Sequence, residues 1–340
     1  MPTKMREEIN EIPVAAARLL ERSANDIAAA GRALRERDPG VVVTIARGSS
    51  DHAAHFLKYA VELELGLPVA SLGPSLASIY GAPMKLGRAA AFAVSQSGAS
   101  PDIVAMAEGS RTGGALTLAL VNTVPSPLAR AASLAIDIQA GPEIAVAATK
   151  SFVNSAVAGL AIIAAWSGSA ELGRAVAELP DRLESALGLD WTGMLEPLSR
   201  TDSLYMLGRG PTLAIASEAA LKCKETCELH AEAYSSAEVL HGPVSLVERD
   251  FPVVAFAARD KAEASIAGTV SALAAKNAAC FITSGAALGA HALPFVATGH
   301  PLTDALALIV PYYGFVEALS RARGFDPDKP AALKKVTETR

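Results

Sequence analysis

Glu218, Lys222 and Glu225 stand at i, i+4 and i+7 in a run that starts near Pro211. On a helix these three charges share one face, while Ile215, Ala216, Ala219, Ala220 and Cys223 supply apolar bulk. His230, Glu232, Glu238 and His241 follow at once. The helix opens after an apolar run, 204–207, and a turn of Gly208-Arg209-Gly210, with Pro211 suited to the first helical position. Carboxylates and imidazoles gathered beside a glycine turn at a strand end are equipment for moving protons. A solvated helix face would use the same residue types.

A second group carries hydroxyls. Arg47-Gly48-Ser49-Ser50 follows the apolar run 41–46, and Ser95-Gln96-Ser97-Gly98-Ala99-Ser100 follows the run 89–94, with Pro101 placed to open a helix. Ligands of open parallel sheets sit at the carboxyl ends of strands, where hydroxyls, backbone N–H groups and positive helix ends make an anion cradle. Either loop alone could merely cap a helix; two such loops after strands of one sheet favour binding. Neither a P-loop lysine nor GxGxxG is present, so a phosphate monoester fits better than a nucleotide. Cys223 and Cys227 at i, i+4 beside His230 could pass for half a metal site, but small buried cysteines are commoner in an alanine-rich helix, and no metal is expected. His52 and His55 could line the first loop or serve as cap or core residues, and Glu143, in a Gly-Pro turn, could orient a catalytic group or be a surface carboxylate. His291 and His300 receive no role.

Parallel strands must position these loops. Apolar runs at 41–46, 69–72, 89–94, 116–121 and 134–138 are separated by helical stretches at 50–65, 75–80 and 101–111, the pattern of a parallel sheet covered on both faces. One or two lead-in helices, charged on one side by residues such as Glu7 and Glu8, fill 5–37. A long helical segment at 150–187 contains Pro180, and the alternation restarts with strands at 204–207, 252–257, 280–283 and 293–298. Two α/β units joined near 180–200 are expected, and Arg47-Gly48 and Arg209-Gly210, each after the first strand of its half, hint at duplication.

Composition narrows the classes. A chain of 340 residues, 51% hydrophobic but 5% aromatic, is long for one core, and a net charge of −5 without a basic block argues against nucleic acid. Three cysteines without a CxxC pair suit a reducing cytoplasm. The charged N-terminus does not read as a signal peptide, and the most apolar stretch, 155–168, reads as a buried core helix rather than a membrane span.

RGSSDHA (47–53), SQSGASPD (95–102), GPEIAVAATKSF (141–152), the segment 218–243 with its HAEA and LHGP, and LKKVT (333–337) together resemble tandem sugar-isomerase (SIS) domains. The likeness covers nearly the whole chain and points to the isomerase half of glucosamine-6-phosphate synthase and stand-alone relatives, among them SIS-type glucosamine-6-phosphate deaminases. It implies an α/β fold of two SIS domains, 39–190 and 191–340, after N-terminal helices in 1–38, each with a parallel five-stranded, flavodoxin-like sheet flanked by helices. It further implies a sugar phosphate held by Gly48, Ser49, Ser50, Ser95, Gln96, Ser97 and Ser100, with Val146 and Ala148 at the sugar. Glu225 would shuttle a proton between C1 and C2, His241 would open the ring from the neighbouring subunit of a homodimer, and Lys334 would lie against the reacting carbon and form an imine.

Two departures bear on the substrate. Ala148 stands where the synthase carries a hydroxyl, and Lys335 replaces a serine and could compete with Lys334. The chain is also expected to lack an amidotransferase domain, and so a means of releasing ammonia from glutamine. The implied reaction is therefore conversion of glucosamine 6-phosphate to fructose 6-phosphate and ammonia, without metal or organic cofactor. Another phosphosugar isomerase, or an aminotransferase or deglycase, of the same family and a phosphosugar-sensing role are the alternatives; neither nucleic acid nor membrane is an expected partner.

Overall fold

A computed structural model describes residues 2–331, Leu333 and Lys335. Strands β1 (Val41–Ile45), β2 (Val69–Ser71), β3 (Ala89–Ser95), β4 (Leu116–Val121) and β5 (Leu134–Asp137) form one sheet in the order β2-β1-β3-β4-β5. Every pairing in it is parallel, with Val43 opposite Ala91 and Phe92 opposite Leu118. Strands β6 (Ser203–Gly208), β7 (His230–Ser235), β8 (Pro252–Ala255), β9 (Ala279–Ile282) and β10 (His291–Ala292) form the second sheet, again all parallel, in the order β7-β6-β8-β9-β10. Numbered within its own half, each sheet reads 2-1-3-4-5, the flavodoxin-like order, with its switch point between the first and third strands.

The helices are α1 (Lys4–Asn10), α2 (Ile12–Arg22), α3 (Ala24–Arg37), α4 (Ser49–Leu65), α5 (Ser75–Ser78), α6 (Pro101–Thr112) and α7 (Pro127–Ala131), then α8 (Lys150–Ser167) and α9 (Ala170–Leu187). After them come α10 (Leu195–Ser199), α11 (Pro211–Cys227), α12 (Glu263–Ala274), α13 (Pro301–Ala307) and α14 (Ile309–Ala322). The lead-in region holds three helices rather than one or two, and the segment at 150–187 is two helices, with Pro180 inside the second. The run 293–298 is not a strand, whereas His230–Ser235, too polar to read as one, is the edge strand β7.

Contacts divide the chain into two compact units whose make-up is not serial. The first unit comprises 12–143, 150–180 and Lys335; the second comprises 2–11, 144–149, 181–331 and Leu333. In the first, all seven residues of β3 are buried, and small alanines on its face meet Ile103 and Met106 of α6. In the second, Tyr205 and Leu207 of β6 pack with Val253, Ile266 and Val270. Among the described residues, two helical stretches, Lys150–Ser167 and Pro301–Ala322, have the length and apolarity of a membrane span, yet 83% and 89% of their most apolar 18-residue windows are buried inside the fold. They are core helices, as expected for 155–168.

Candidate active site

In the first unit both hydroxyl loops stand at strand ends on either side of the switch point. Gly48 is the N-cap of α4, at φ 55° and ψ −135°, so Ser49 and Ser50 lie in the first turn rather than capping it. Ser100 is the N-cap of α6, but its side chain makes no cap bond. The capping role is therefore not what occupies these three serines. Between the loops, Ser95 Oγ accepts the Gly98 N–H at 3.0 Å and Ser97 Oγ accepts the Ala99 N–H at 3.3 Å, so these hydroxyls also shape the turn. Gly98 has φ +62°, and a Cβ there would lie 2.4 Å from Ser126 Oγ and 2.7 Å from Val121 Cγ2. Only glycine fits that turn.

One tie joining the loops was missed from sequence. Arg47 Nε donates to Asp102 Oδ2 at 2.5 Å, and Asp102, in the first turn of α6, is fully buried while Arg47 is half exposed. The ion pair ties the two loops together and leaves the Arg47 side chain half exposed. Nothing in the sequence singled out an arginine before one loop and an aspartate after the other, 55 positions apart, as partners. Farther along α4, His55 is partly buried, and burial, then His52, lowers its pKa; its ring lies 5.5 Å from that of Tyr59.

Glu143 is not a surface carboxylate. It is 6% exposed, accepts the Ser151 N–H at 3.1 Å and hydroxyl at 2.6 Å at the start of α8, and pairs with Lys335 Nζ at 3.2 Å. Lys335 is thus engaged by Glu143, and Lys334 lies outside the described residues.

In the second unit α11 carries the charged triad. Lys222 and Glu218 are fully buried and Glu225 is 21% exposed; Lys222 Nζ lies 3.3 Å from Glu218 Oε1 and donates to Glu225 Oε2. Tyr313 donates its hydroxyl to Glu218 at 3.1 Å. Burial would pull the Lys222 pKa down, but the two carboxylates outweigh it and hold the ammonium above its ordinary value. The triad is thus a rigid mount: Glu218 fixes Lys222, and Lys222 fixes the one carboxylate that reaches solvent.

The residues after α11 do not join this cluster through any described contact. His230 pairs with Ser203 Oγ at 3.0 Å on the edge of the sheet, and Glu232 takes the Tyr234 hydroxyl at 2.7 Å. Glu238 and His241 are exposed, His241 closing a short 3-10 turn before Gly242. Cys223 Sγ lies 3.1 Å from the Tyr312 hydroxyl, and burial pushes Cys227 and Cys280 up to about 11. These are inert packing thiols. His300 caps α13, and His291 stacks on Phe281.

Val146 and Ala148 lie in an irregular loop and are partly exposed, while Ala145 and Ala147 beside them are buried. The loop's Ile144 and Ala145 amides donate to Glu8 Oε1. Glu8, expected among the solvated charges of a lead-in helix, is 4% exposed.

Two parallel sheets of flavodoxin order with serine loops at one switch point define a class, and the SIS domain family model matches residues 37–165 and 197–292. The chain belongs to the SIS domain family. It is 33% identical over 330 residues to the glutamine–fructose-6-phosphate aminotransferase (isomerizing) of Symbiobacterium thermophilum, covering 91% of this chain and 52% of that enzyme. The chain thus spans about half the length of the curated relatives it matches. A candidate phosphosugar isomerase from Silicibacter pomeroyi DSS-3 superimposes with a TM-score of 0.93 at 55% identity, over 96% of this chain and 100% of that one. The glucosamine-6-phosphate deaminase of Thermotoga maritima shares the fold, with a TM-score of 0.80 at 20% identity over 99% and 100% of the two chains.

Proposed function

We propose that this protein is a phosphosugar aldose-ketose isomerase that releases ammonia, converting glucosamine 6-phosphate and water to fructose 6-phosphate and ammonia. The observation that carries the reading is the Glu218-Lys222-Glu225 mount, which presents one accessible carboxylate on an otherwise buried charged cluster. The Arg47-tied serine loops supply the matching phosphate cradle, with Gly48, Ser49, Ser50, Ser95, Gln96, Ser97 and Ser100 as its residues.

In this scheme the phosphate is held by the loops while His241 assists opening of the ring to the aldehyde. Glu225 takes the proton from C2 and returns it to C1, which leaves an imine at C2. Water adds to that imine and ammonia departs; Lys334 can take the same imine by transimination before hydrolysis. The Lys335–Glu143 pair supports assigning this role to Lys334, since its neighbour is already engaged. The exposed turn of His241, with Leu240 and Leu246 exposed beside it, supports a homodimer in which His241 serves the neighbouring subunit. Three buried, unpaired cysteines support a cytoplasmic setting.

The test is an assay of ammonia release from glucosamine 6-phosphate beside interconversion of glucose and fructose 6-phosphates. Ammonia formed in step with fructose 6-phosphate is the expected result. Isomerisation of the neutral sugars without ammonia release would replace the deaminase reading with a plain isomerase.

A further inference from the structure

We propose that Glu8 is a positioning residue for the loop 144–149, and that helix α1 ties this loop to the root of the C-terminal tail. The proposal rests on the reading that Val146 and Ala148 meet the sugar.

Helix α1 is seven residues long, too short to hold its own shape in water. Its place is set by what grips it. Asp328 accepts the N–H groups of Lys4 at 2.7 Å and Met5 at 2.8 Å, a carboxylate at the positive end of the helix. Arg6 pairs with Glu317 of α14 at 2.6 Å, and Thr3 donates to the same carboxylate at 2.9 Å. All these groups lie in the second unit, and Asp328 stands seven positions before Lys335 in the segment leading into the tail.

The buried face of α1 is Met5, Glu8 and Ile9. A carboxylate between two apolar core side chains is costly unless strong donors meet it. The donors are the amides of Ile144 and Ala145, the second at 3.2 Å, both on the same oxygen. Those amides sit in a stretch that is neither helix nor strand, where Ala145 is buried and Ile144 exposed, and a buried amide such as that of Ala145 calls for an acceptor of this kind. Anchoring them fixes the alternation that follows: Ala145 and Ala147 turned into the core, Val146 and Ala148 left partly exposed. Glu8 therefore decides which side chains of the loop are presented, and through α1 the same anchor reaches Asp328.

The test compares Glu8→Ala with Glu8→Gln by amide hydrogen exchange and by steady-state kinetics on glucosamine 6-phosphate. Charge-assisted bonds of this kind carry one to two powers of ten in an equilibrium. Glu8→Ala is expected to speed exchange at Ile144 and Ala145 by about tenfold or more, with the β-strands of both sheets unchanged, and to raise KM by about tenfold while kcat moves less. Glu8→Gln keeps a carbonyl acceptor and is expected to fall between the wild type and Glu8→Ala, which also keeps the proposal testable should the alanine variant fail to fold. Unchanged protection of 144–145 overturns it, as does lost protection with an unchanged KM. If the wild type does not turn over this sugar, the functional reading fails on its own, and the exchange arm still judges the anchoring by Glu8.

Discussion

Replacing Lys222 by methionine removes the centre of the charged mount while keeping the length of the side chain. Lys222 and Glu218 are both fully buried, 3.3 Å apart, and Glu225 is 21% exposed, so the loss falls mainly on Glu218. A buried carboxylate stripped of its partner costs about 3–5 kcal/mol, a large share of the ~5–15 kcal/mol that holds a folded protein together. Tyr313 still donates to Glu218 and softens the loss, which places the expectation at about 3 kcal/mol. Urea unfolding followed by circular dichroism reads it as a lowered midpoint. The double variant Glu218→Gln/Lys222→Met, which leaves no buried charge at the pair, should recover at least half of the deficit. A cost under about 1 kcal/mol for the single change, or a double variant no more stable than the single, would refute the claim that the pair is coupled. The pH dependence has a definite sign. Because the folded pKa of Lys222 lies above the ordinary 10.5, its contribution is complete below that value and is lost as pH rises through the folded value. The wild type should therefore lose stability in strong alkali through this group, and Lys222→Met should not.

Glu225→Gln should lower turnover by ~10² to 10⁴-fold with the fold intact, and near-normal turnover would pass the role to Glu218 or Glu232. Mixing an inactive Glu225 variant with an inactive His241 variant should restore part of the activity through hybrid dimers; no recovery after confirmed subunit exchange would place His241 in its own subunit's site or outside it. Gly98→Ala should destabilise the first unit by about 1–3 kcal/mol and weaken phosphosugar binding, because its Cβ meets Ser126 and Val121 at a positive φ. Asp102→Asn should raise KM about tenfold with a smaller effect on kcat, as Arg47 loses the partner that ties the loops together, and calorimetric titration with substrate would read the same change as weaker binding.

The sheet-forming stretches of the first half were legible because their strands are buried on both faces and so read as unbroken apolar runs; β3 is the clearest case. The same rule hid β7. As an edge strand it has one flank open to water, and His230, Glu232 and Ser235 sit where a central strand would carry valines. The opposite error, 293–298, is an apolar run that the fold buries in part without a ladder. At the site, the spacing of Glu218, Lys222 and Glu225 foretold their meeting because one helix carries all three. Asp102 and Glu8 were opaque: each acts on residues 55 and 136 positions away or more, and a lone acidic residue on a helix looks the same whether it faces water or a buried amide. For the same reason the four residues 230, 232, 238 and 241 looked like one cluster in sequence, although the turn after β7 disperses them.

The two turns at Gly48 and Gly210 have nearly the same backbone, φ 55° and ψ −135° against φ 63° and ψ −136°, and each opens a helix of 17 residues after the first strand of its sheet. Such agreement adds to the hint of duplication in Arg47-Gly48 and Arg209-Gly210, and it makes the differences between the two turns readable. Where the first turn continues into Ser49 and Ser50, the second continues into Pro211, which has no N–H to offer, and Thr212, whose hydroxyl folds back onto the Arg209 backbone at 2.9 and 3.0 Å. The second turn therefore presents neither the free hydroxyl nor the first-turn N–H that an anion would need, and is closed where the first is open. The same strand-turn-helix geometry thus presents hydroxyls at the helix tip in one unit and charges along the helix middle, at Glu218, Lys222 and Glu225, in the other.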